Sequence, residues 1–165
     1  MKILITGSTG FIGRNLKERL GEIYDIYCPP REELDLLNTE NVMEYVKKSS
    51  FDIVIHAANT NDTRNKSTTP YDSLDGNLRM FFNLEHCKEY YGRMYYFGSG
   101  MEYDMEHYIP YMKEEYFGTH VPKNPYGFSK YIMSKICQQN NNIYDLRLFG
   151  VYGKYEEWER RFISN

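Results

Sequence analysis

The sequence predicts an α/β protein of the Rossmann type, a three-layer, doubly wound parallel sheet with helices on both faces. Short β-rich runs alternate with longer helical stretches, as crossover connections require. A glycine-rich turn follows the first apolar run directly, and 41% of the 165 residues are hydrophobic, enough for the core of one domain. The predicted strands are 2–6, 25–28, 53–56, 94–98 and 143–149, and the predicted helices are 11–20, 39–48, 72–91 and 125–140.

The elements differ in how clearly they are marked. The last helix has the clearest start, because Asn124 can cap its free amides and Pro125 suits the first helical position. Two segments interrupt the alternation: 59–70 is rich in Asn and Thr, and 103–123 is rich in Tyr. Both follow the carboxyl end of a predicted strand, where open α/β sheets bind their ligands. They are either functional loops or plain connections.

Composition and charge exclude several classes of partner. Twenty basic against 23 acidic residues give a net charge of −3, which lacks the basic excess of a nucleic-acid binder. No apolar run approaches the roughly 20 residues of a membrane span, so we expect no membrane partner. Cys28, Cys87 and Cys137 are odd in number and far apart, which indicates neither a disulfide framework nor a CxxC metal site. The cytoplasm is the expected compartment, and no metal is predicted.

The first motif is the glycine-rich turn from Gly7 to Gly13. Gly7 permits a tight turn, Gly10 lets backbone amides approach a pyrophosphate, and Gly13 lets the helix pack closely on the sheet. A lone glycine triplet is a weak motif, but a strand before it and an amphipathic helix after it strengthen it. The alternatives are an ordinary turn or a P-loop, and the P-loop fails because Arg14 and Asn15 replace its Lys and Ser/Thr.

The second predicted strand bears on the choice of cofactor. A fold that binds NAD normally offers the ribose an acid about 20 residues beyond the glycines. Here Asp25 begins the strand, no acid ends it, and Arg31 follows Pro29 and Pro30 in a position to meet a 2′-phosphate. NADP(H) is therefore favoured and NAD(H) is possible, with Arg31 as a solvated loop cation the equal alternative. The carboxylate of Asp35 is a candidate contact for the adenine edge.

The motif that indicates chemistry is Tyr126 with Lys130. Positions four apart share a helix face, so the phenol and the ammonium lie together. Tyrosine titrates near pH 10, and acting as a base near neutrality requires lowering that by roughly 3 units, about 4 kcal/mol, which a nearby cation favours. Ser99 ends the fourth predicted strand, where its hydroxyl can bind the substrate oxygen that Tyr126 protonates or deprotonates. Two exposed helix side chains and a turn serine are the plainer alternatives.

These motifs, in this order, resemble the extended short-chain dehydrogenase/reductase family, the NAD(P)-dependent epimerases, dehydratases and reductases of nucleotide sugars. The likeness includes the TGxxGxxG turn, an Asp-Leu pair at Asp35 and Leu36, HAA at 56–58, YxxxK, and the stretch 147–153. It implies a Rossmann fold, a nucleotide-sugar substrate and a possible homodimer. By resemblance, Ser99, Tyr126 and Lys130 are catalytic, and the last two also bind the cofactor. The other implied cofactor-binding residues are Gly7, Thr9, Gly10, Phe11, Ile12, Gly13, Arg31, Asp35, Leu36, Ala57, Ala58, Asn77, Phe149 and Val151.

Departures from the family narrow the expected reaction. Gly100 and Met101 stand where sugar dehydratases carry acids, which disfavours dehydration. The stretch 31–38 resembles members like GDP-fucose synthase, which use NADPH, but Met101 and Tyr155 replace the Cys and His with which those members epimerise. A 4-keto reductase or a 4-epimerase that works by hydride transfer is therefore expected.

The carboxyl end of the sequence is unusual for a doubly wound fold, because no sixth strand follows the fifth. We expect residues 1–153 to form the NAD(P)-binding domain and residues 154–165 to begin a substrate-binding region that is missing, so that the chain binds dinucleotide without turning over a sugar nucleotide. Two other classes stay open: a non-catalytic NAD(P) sensor on the same fold, and an interaction module that uses the Tyr-rich loop.

Overall fold

The computed structural model describes residues 1–60, 69–157 and 159. Within them, one five-stranded sheet has the order β2-β1-β3-β4-β5, and all four neighbouring pairs are parallel. This confirms the predicted fold class. The strands are β1 (Lys2–Thr6), β2 (Asp25–Tyr27), β3 (Phe51–His56), β4 (Tyr91–Ser99) and β5 (Ile143–Leu148).

Among the residues described, four α-helices connect the strands: α1 (Phe11–Leu20), α2 (Thr39–Ser49), α3 (Pro70–Glu85) and α4 (Pro125–Cys137). Three of them begin at a side-chain cap. Asn38 caps α2, Thr69 caps α3 with a reciprocal bond from Asp72, and Asn124 caps α4 immediately before Pro125, as the sequence predicts. None of the helices in the described part of the chain is both long and apolar enough to cross a bilayer.

The helices cover both faces of the sheet unequally. Leu16 and Leu20 of α1 pack on Ile3, Ile5 and Ile55 at one face. The main core lies at the other face, where α2, α3 and α4 pack on alternate strand residues such as Leu4, Val54 and Met94. Parallel strands are normally joined by right-handed crossovers. The chain moves one way across the sheet from β1 to β2 and the other way afterwards, which accounts for this division. The reversal places a topological switch point between β1 and β3.

Several predicted boundaries were wrong, most of all the helix over 72–91. α3 begins two residues earlier and ends at Glu85, and Tyr91 already belongs to β4. Tyr91 pairs with Phe51 of β3, and its hydroxyl donates to the carbonyl of Leu84 at 3.0 Å, so sheet pairing decides its conformation. The same pairing starts β3 at Phe51. The ends of β2, α4 and β5 also fall one to three residues before the predicted ends.

The two irregular segments are only partly described. Residues 61–68 of the segment 59–70 lie outside the described residues, as does most of the charged stretch after residue 157. The Tyr-rich loop 103–123 contains two short 3₁₀ turns, Met105–His107 and Glu114–Tyr116. It is fastened to the end of β4 by Tyr108, whose hydroxyl donates to the carbonyl of Gly100 at 2.6 Å.

Candidate active site

The glycine-rich turn packs backbone against backbone. Gly7 has a φ of +68°, and a Cβ there would lie 2.5 Å from the amide nitrogen of Ala58, just past β3. A Cβ on Gly13 would overlap the carbonyl oxygen of Gly7. A Cβ on Gly10, by contrast, would meet only that same oxygen, at 3.3 Å. Gly7 and Gly13 therefore close the turn at the switch point, and Gly10 leaves its outer side open.

The first turn of α1 is free to bind an anion. Gly10 is its N-cap, and no side chain in the described part of the chain accepts a hydrogen bond from the first amides, whereas α2, α3 and α4 each have a capping side chain. Uncapped amides at a helix N-terminus bind phosphate groups. Thr9 and Gly10 are exposed, and Phe11 and Ile12 are half-buried beside them. These residues fit the diphosphate of a dinucleotide cofactor.

The residues after β3 adjoin the glycine-rich turn on the same side of this crevice. The amides of Ala57 and Ala58 donate to the carbonyl and hydroxyl oxygens of Thr6, at 3.2 and 3.3 Å. Asn77 of α3 holds Thr60 at both backbone groups, accepting from its amide at 2.7 Å and donating to its carbonyl at 2.9 Å. Asn77 therefore orders the start of the loop after β3, and its contact with a cofactor stays a prediction.

His56 ends β3 inside the core. Its Nδ1 lies 2.8 Å from the hydroxyl oxygen of Thr6, and burial, with a smaller effect of the Lys130 charge, lowers its pKa to about 3. The imidazole is therefore neutral across the physiological range and serves the packing of the strand end.

Arg31 and Asp35 lie together on the turn after β2. Arg31 Nε is 3.4 Å from Asp35 Oδ1, and the Arg31 side chain is 72% exposed. The same carboxylate oxygen accepts from the amide of Leu37 at 3.1 Å. Leu36 is buried in the main core, and its carbonyl accepts from the side chain of Asn83 at 2.8 Å. An exposed guanidinium next to the β2 end is thus available to an anionic ligand, with one carboxylate beside it.

Tyr126 and Lys130 are adjacent on α4, as their spacing predicts. Lys130 Nζ lies 5.6 Å from the centre of the Tyr126 ring and 4.7 Å from that of Tyr96. Lys130 is only 4% exposed and donates to the carbonyl of Phe97 at 2.9 Å. Burial lowers the pKa of Lys130 to about 8, although the carboxylates of Asp145 and Glu102 oppose that change. The sequence alone did not predict this burial.

The start of α4 packs against the end of β4. A Cβ on Gly127 would lie 2.6 Å from the carbonyl oxygen of Met101, so the residue after Tyr126 touches the turn after Ser99. Ser99 is half-buried, and its hydroxyl accepts from the amide of Met101 at 3.2 Å. The ring of Phe149 covers Gly100 and is 65% exposed, and Val151 is 43% exposed. Both follow β5 at the same sheet edge.

A buried charged cluster that the sequence did not predict lies behind these residues. Glu102 and Asp145 both contact Arg147, and Ser134 of α4 donates to Asp145 at 2.7 Å. Asp145 and Arg147 stand two apart in β5, which puts them on one face of the sheet. Two charged residues two positions apart in a predicted strand were the sequence feature that could have indicated this cluster. Among the described residues, no group of three or more His, Cys, Asp or Glu side chains could hold a metal ion.

Comparison with known proteins agrees with this geometry. A GDP-L-colitose synthase from Yersinia pseudotuberculosis is 34% identical over 86 residues, which are 51% of this chain and 28% of that protein. A GDP-6-OMe-4-keto-L-xylo-heptose reductase from Campylobacter jejuni shares the fold with a TM-score of 0.85 and 26% identity, over 96% of this chain and 49% of that one. A GDP-mannoheptose C4 reductase from the same organism, solved with NADP bound, matches with a TM-score of 0.85 and 26% identity over 95% and 54%.

The chain thus spans about half the length of these two structures. Residues 3–165 match the family described as NAD dependent epimerase/dehydratase, which is nearly the whole sequence. This confirms the resemblance that the motifs indicated. The chain belongs to the NAD dependent epimerase/dehydratase family.

Proposed function

We propose that the chain binds NADP(H) in preference to NAD(H) and carries the proton-transfer residues for 4-keto reduction or 4-epimerisation of a nucleotide sugar. One observation carries the proposal: Lys130 Nζ lies 5.6 Å from the ring of Tyr126, on a helix whose first turn touches the strand end that bears Ser99. A lysine on a solvated helix face would keep its ammonium group in water, whereas Lys130 is buried beside Tyr126.

The cofactor is assigned to the crevice at the switch point. The free amides of α1 and the open side of Gly10 suit its diphosphate, and Phe11, Ile12, Ala57 and Ala58 line the approach. Arg31 suits a 2′-phosphate, which only NADP(H) carries, and the NADP in the heptose reductase supports this choice. The other residues proposed to bind the cofactor are Gly7, Thr9, Gly13, Asp35, Leu36, Asn77, Phe149 and Val151.

When bound, the dinucleotide supplies or accepts the hydride. Tyr126 moves the matching proton to or from the sugar oxygen, and the Lys130 ammonium stabilises the phenolate that is left after proton donation. Ser99 hydrogen-bonds the same oxygen and orients it. The start of α4, which bears Tyr126, contacts the turn after Ser99, so the residues proposed to bind the sugar oxygen are held close together.

The substrate and the assembly are inferred from relatives. The two heptose reductases act at a keto group or at C4 of GDP-sugars, which favours a GDP-linked keto sugar and reduction over epimerisation. A homodimer through α3 and α4 is proposed by family resemblance. The cytoplasm is the proposed compartment, since Cys28, Cys87 and Cys137 are all free thiols, as in a reducing environment.

Calorimetric titration of the chain with NADPH and with NADH tests the cofactor assignment. We expect saturable binding of both, tighter for NADPH, and affinities that stay within a few fold in Tyr126→Phe, because the phenol acts on the substrate. A sensor would bind equally well, so Tyr126→Phe separates the two classes only where hydride transfer is measured. Failure of either nucleotide to bind would contradict the proposal.

Hydride transfer from NADPH to a GDP-4-keto sugar, followed at 340 nm, tests the reaction. Because the chain spans about half of the relatives' length, we expect no steady turnover by this chain alone. Steady turnover would contradict that expectation. If such turnover fell by about 10²–10⁴ in Tyr126→Phe, it would still support the role of the phenol as the general acid or base.

A further inference from the structure

A buried cluster of charges lies between β4, β5 and α4. The Glu102 side chain is 0% exposed and contacts Arg147 Nε, which also lies 3.4 Å from Asp145 Oδ2. Asp145 Oδ2 accepts from the hydroxyl of Ser134 at 2.7 Å. Both oxygens of Glu102 and Oδ1 of Asp145 are buried without a conventional hydrogen bond among the described residues. Two carboxyl groups thus share one guanidinium in the protein interior.

The cluster lies against the strand end and the helix that bear the proposed proton-transfer residues. A Cβ on Gly98, the residue before Ser99, would overlap Asp145 Oδ1 and lie 3.0 Å from Glu102 Oε2. The preceding residue, Phe97, accepts the hydrogen bond from Lys130. On α4, Lys130 and Ser134 are four residues apart and so share a face, as do Tyr126 and Lys130. The two carboxyl groups are therefore fastened to the strand end, to the helix and to β5.

Electrostatics decides the protonation of this pair. Two buried carboxylates side by side cannot both ionise at low cost, so one retains a proton. Burial, followed by the Asp145 charge, raises the pKa of Glu102 to about 8, although Arg147 opposes this. In its acid form Glu102 gains a donor that can reach Asp145. Burial therefore favours the state in which Glu102 keeps its proton, so that the pair carries less than its full negative charge.

Within residues 1–60, 69–157 and 159, the anions that favour the charged form of Lys130 are Asp145 and Glu102. The Lys130 ammonium contacts one carbonyl and two aromatic rings, and the two carboxylates are the charges that favour its protonated form. The titratable groups that face the acid pair are Tyr96 on β4, Lys130 and Cys137 on α4, Arg147 on β5, and Tyr103 and Tyr108 in the loop.

We propose that Glu102 and Asp145 form a positioning pair that acts through Lys130, fixing the helix face that bears Tyr126 and supplying the negative charge that keeps the buried lysine protonated. This inference rests on the proposed function, because it assigns the pair to the Tyr126 and Lys130 machinery. Neither carboxyl group touches the substrate in this role. Arg147 holds the two acids together, and Ser134 ties them to the helix.

Titration of Lys130 in the unliganded chain tests the pair directly. Lysine labelled with ¹³C at Cε is followed by NMR, and the Lys130 signal is assigned by its loss in Lys130→Gln. Glu102→Gln mimics the acid form but cannot ionise, so we expect the Lys130 midpoint to fall by about half a pH unit or more. Asp145→Asn lets Glu102 ionise in its place, which predicts a smaller fall. The double variant, with neither charge, should show the largest fall.

Glu106→Gln is the matched control, since Glu106 is an exposed carboxylate in the same loop, paired with Lys123. It should leave the Lys130 midpoint unchanged. If the double variant does not fold, the Lys130 midpoint in Glu102→Gln alone tests the proposal, because glutamine keeps the shape of the protonated glutamic acid. A Lys130 midpoint in Glu102→Gln equal to that of Glu106→Gln would overturn the proposal. If the unmodified chain bound neither NADPH nor NADH in calorimetry, the proposed function would be overturned instead. The Lys130 titration is measured without a ligand and does not depend on that result.

Discussion

The two sides of the crevice are built by different physical means. Around Gly7 and Gly13, the turn is shaped by missing side chains, so that backbone atoms of β1, α1 and the residues after β3 touch directly. Around Lys130, the wall is shaped by buried charged side chains from β4, α4 and β5. The close packing around Gly7 and Gly13 depends only on the absence of side chains. The buried charges around Lys130 are stable only while each keeps a partner of opposite charge or a hydrogen bond.

This difference determines how a substitution on each side lowers the free energy of unfolding. A glycine substitution introduces atoms where there is no room, and the cost does not depend on solution conditions. A change in the charged wall alters protonation equilibria, so its cost depends on pH. Stability measured at one pH against stability measured across a pH range therefore distinguishes the two sides.

Gly13→Ala should show the largest effect on the glycine side. The new Cβ would overlap the Gly7 carbonyl oxygen and lie 2.7 Å from Ser8 Cα, and neither backbone atom can move without opening the turn. We expect the free energy of unfolding to fall by about 3 kcal/mol or more, at the upper end for overpacked sites. Urea denaturation followed by circular dichroism measures it, and the loss should be the same at pH 6 and pH 8.

Gly10→Ala is the matched control in the same turn. Its Cβ would meet only the Gly7 oxygen, at 3.3 Å, and Gly10 has an ordinary negative φ of −79°. The expected loss is about 1 kcal/mol or less, the scale of an exchange at an N-cap. Equal losses in the two variants would show that packing at Gly13 does not hold the turn together.

The charged wall should reveal itself as a pH-dependent stability. The pKa of Glu102 is raised to about 8 in the folded state from 4.5, so the folded chain binds a proton that the unfolded chain has released. Stability from this group is complete below pH 4.5 and is lost as pH rises through 8, by up to about 1.4 kcal/mol per pH unit. Glu102→Gln should remove that slope.

The titration of His56 limits the pH range over which the unfolding free energies can be compared. Its pKa is lowered to about 3 from 6.5, so its contribution is complete above pH 6.5 and is lost as pH falls. Between pH 6.5 and 8 the His56 contribution to the free energy of unfolding is constant. The difference in that free energy between wild type and Glu102→Gln then reports on Glu102 and on the change in Lys130 titration that the substitution causes. A difference that stays constant across this window would mean that Glu102 is ionised in the folded chain.

The same division explains what the sequence could predict. The glycine turn, the Asn124 cap and the Tyr126–Lys130 pairing depend on residues close together in the chain, and local rules describe them. Glu102 and Asp145 are adjacent only after β4 and β5 pair, and their burial follows from the packing of α4. The end of α3 was missed for the same reason, since Tyr91 joins β4 by pairing with Phe51.

The smallest effect is expected on the exposed rim of the glycine side, at Arg31. The ion pair with Asp35 is largely solvated, so Arg31→Ala should change the free energy of unfolding by no more than about 1 kcal/mol. If the guanidinium meets a 2′-phosphate, the variant should bind NADPH about tenfold more weakly, roughly 1.4 kcal/mol, and NADH unchanged.

Arg79→Ala supplies the comparison for Arg31. Arg79 pairs with Asp75 at the same 3.4 Å and the same four-residue spacing, but on the exposed surface of α3. It should leave calorimetric affinities for both nucleotides unchanged, so that any loss in Arg31→Ala reflects the place of the charge rather than its removal. A parallel loss of NADPH and NADH affinity in Arg31→Ala would mean that the guanidinium supports the turn after β2 and does not select the 2′-phosphate. Selectivity would then come from groups elsewhere around the adenosine end of the crevice.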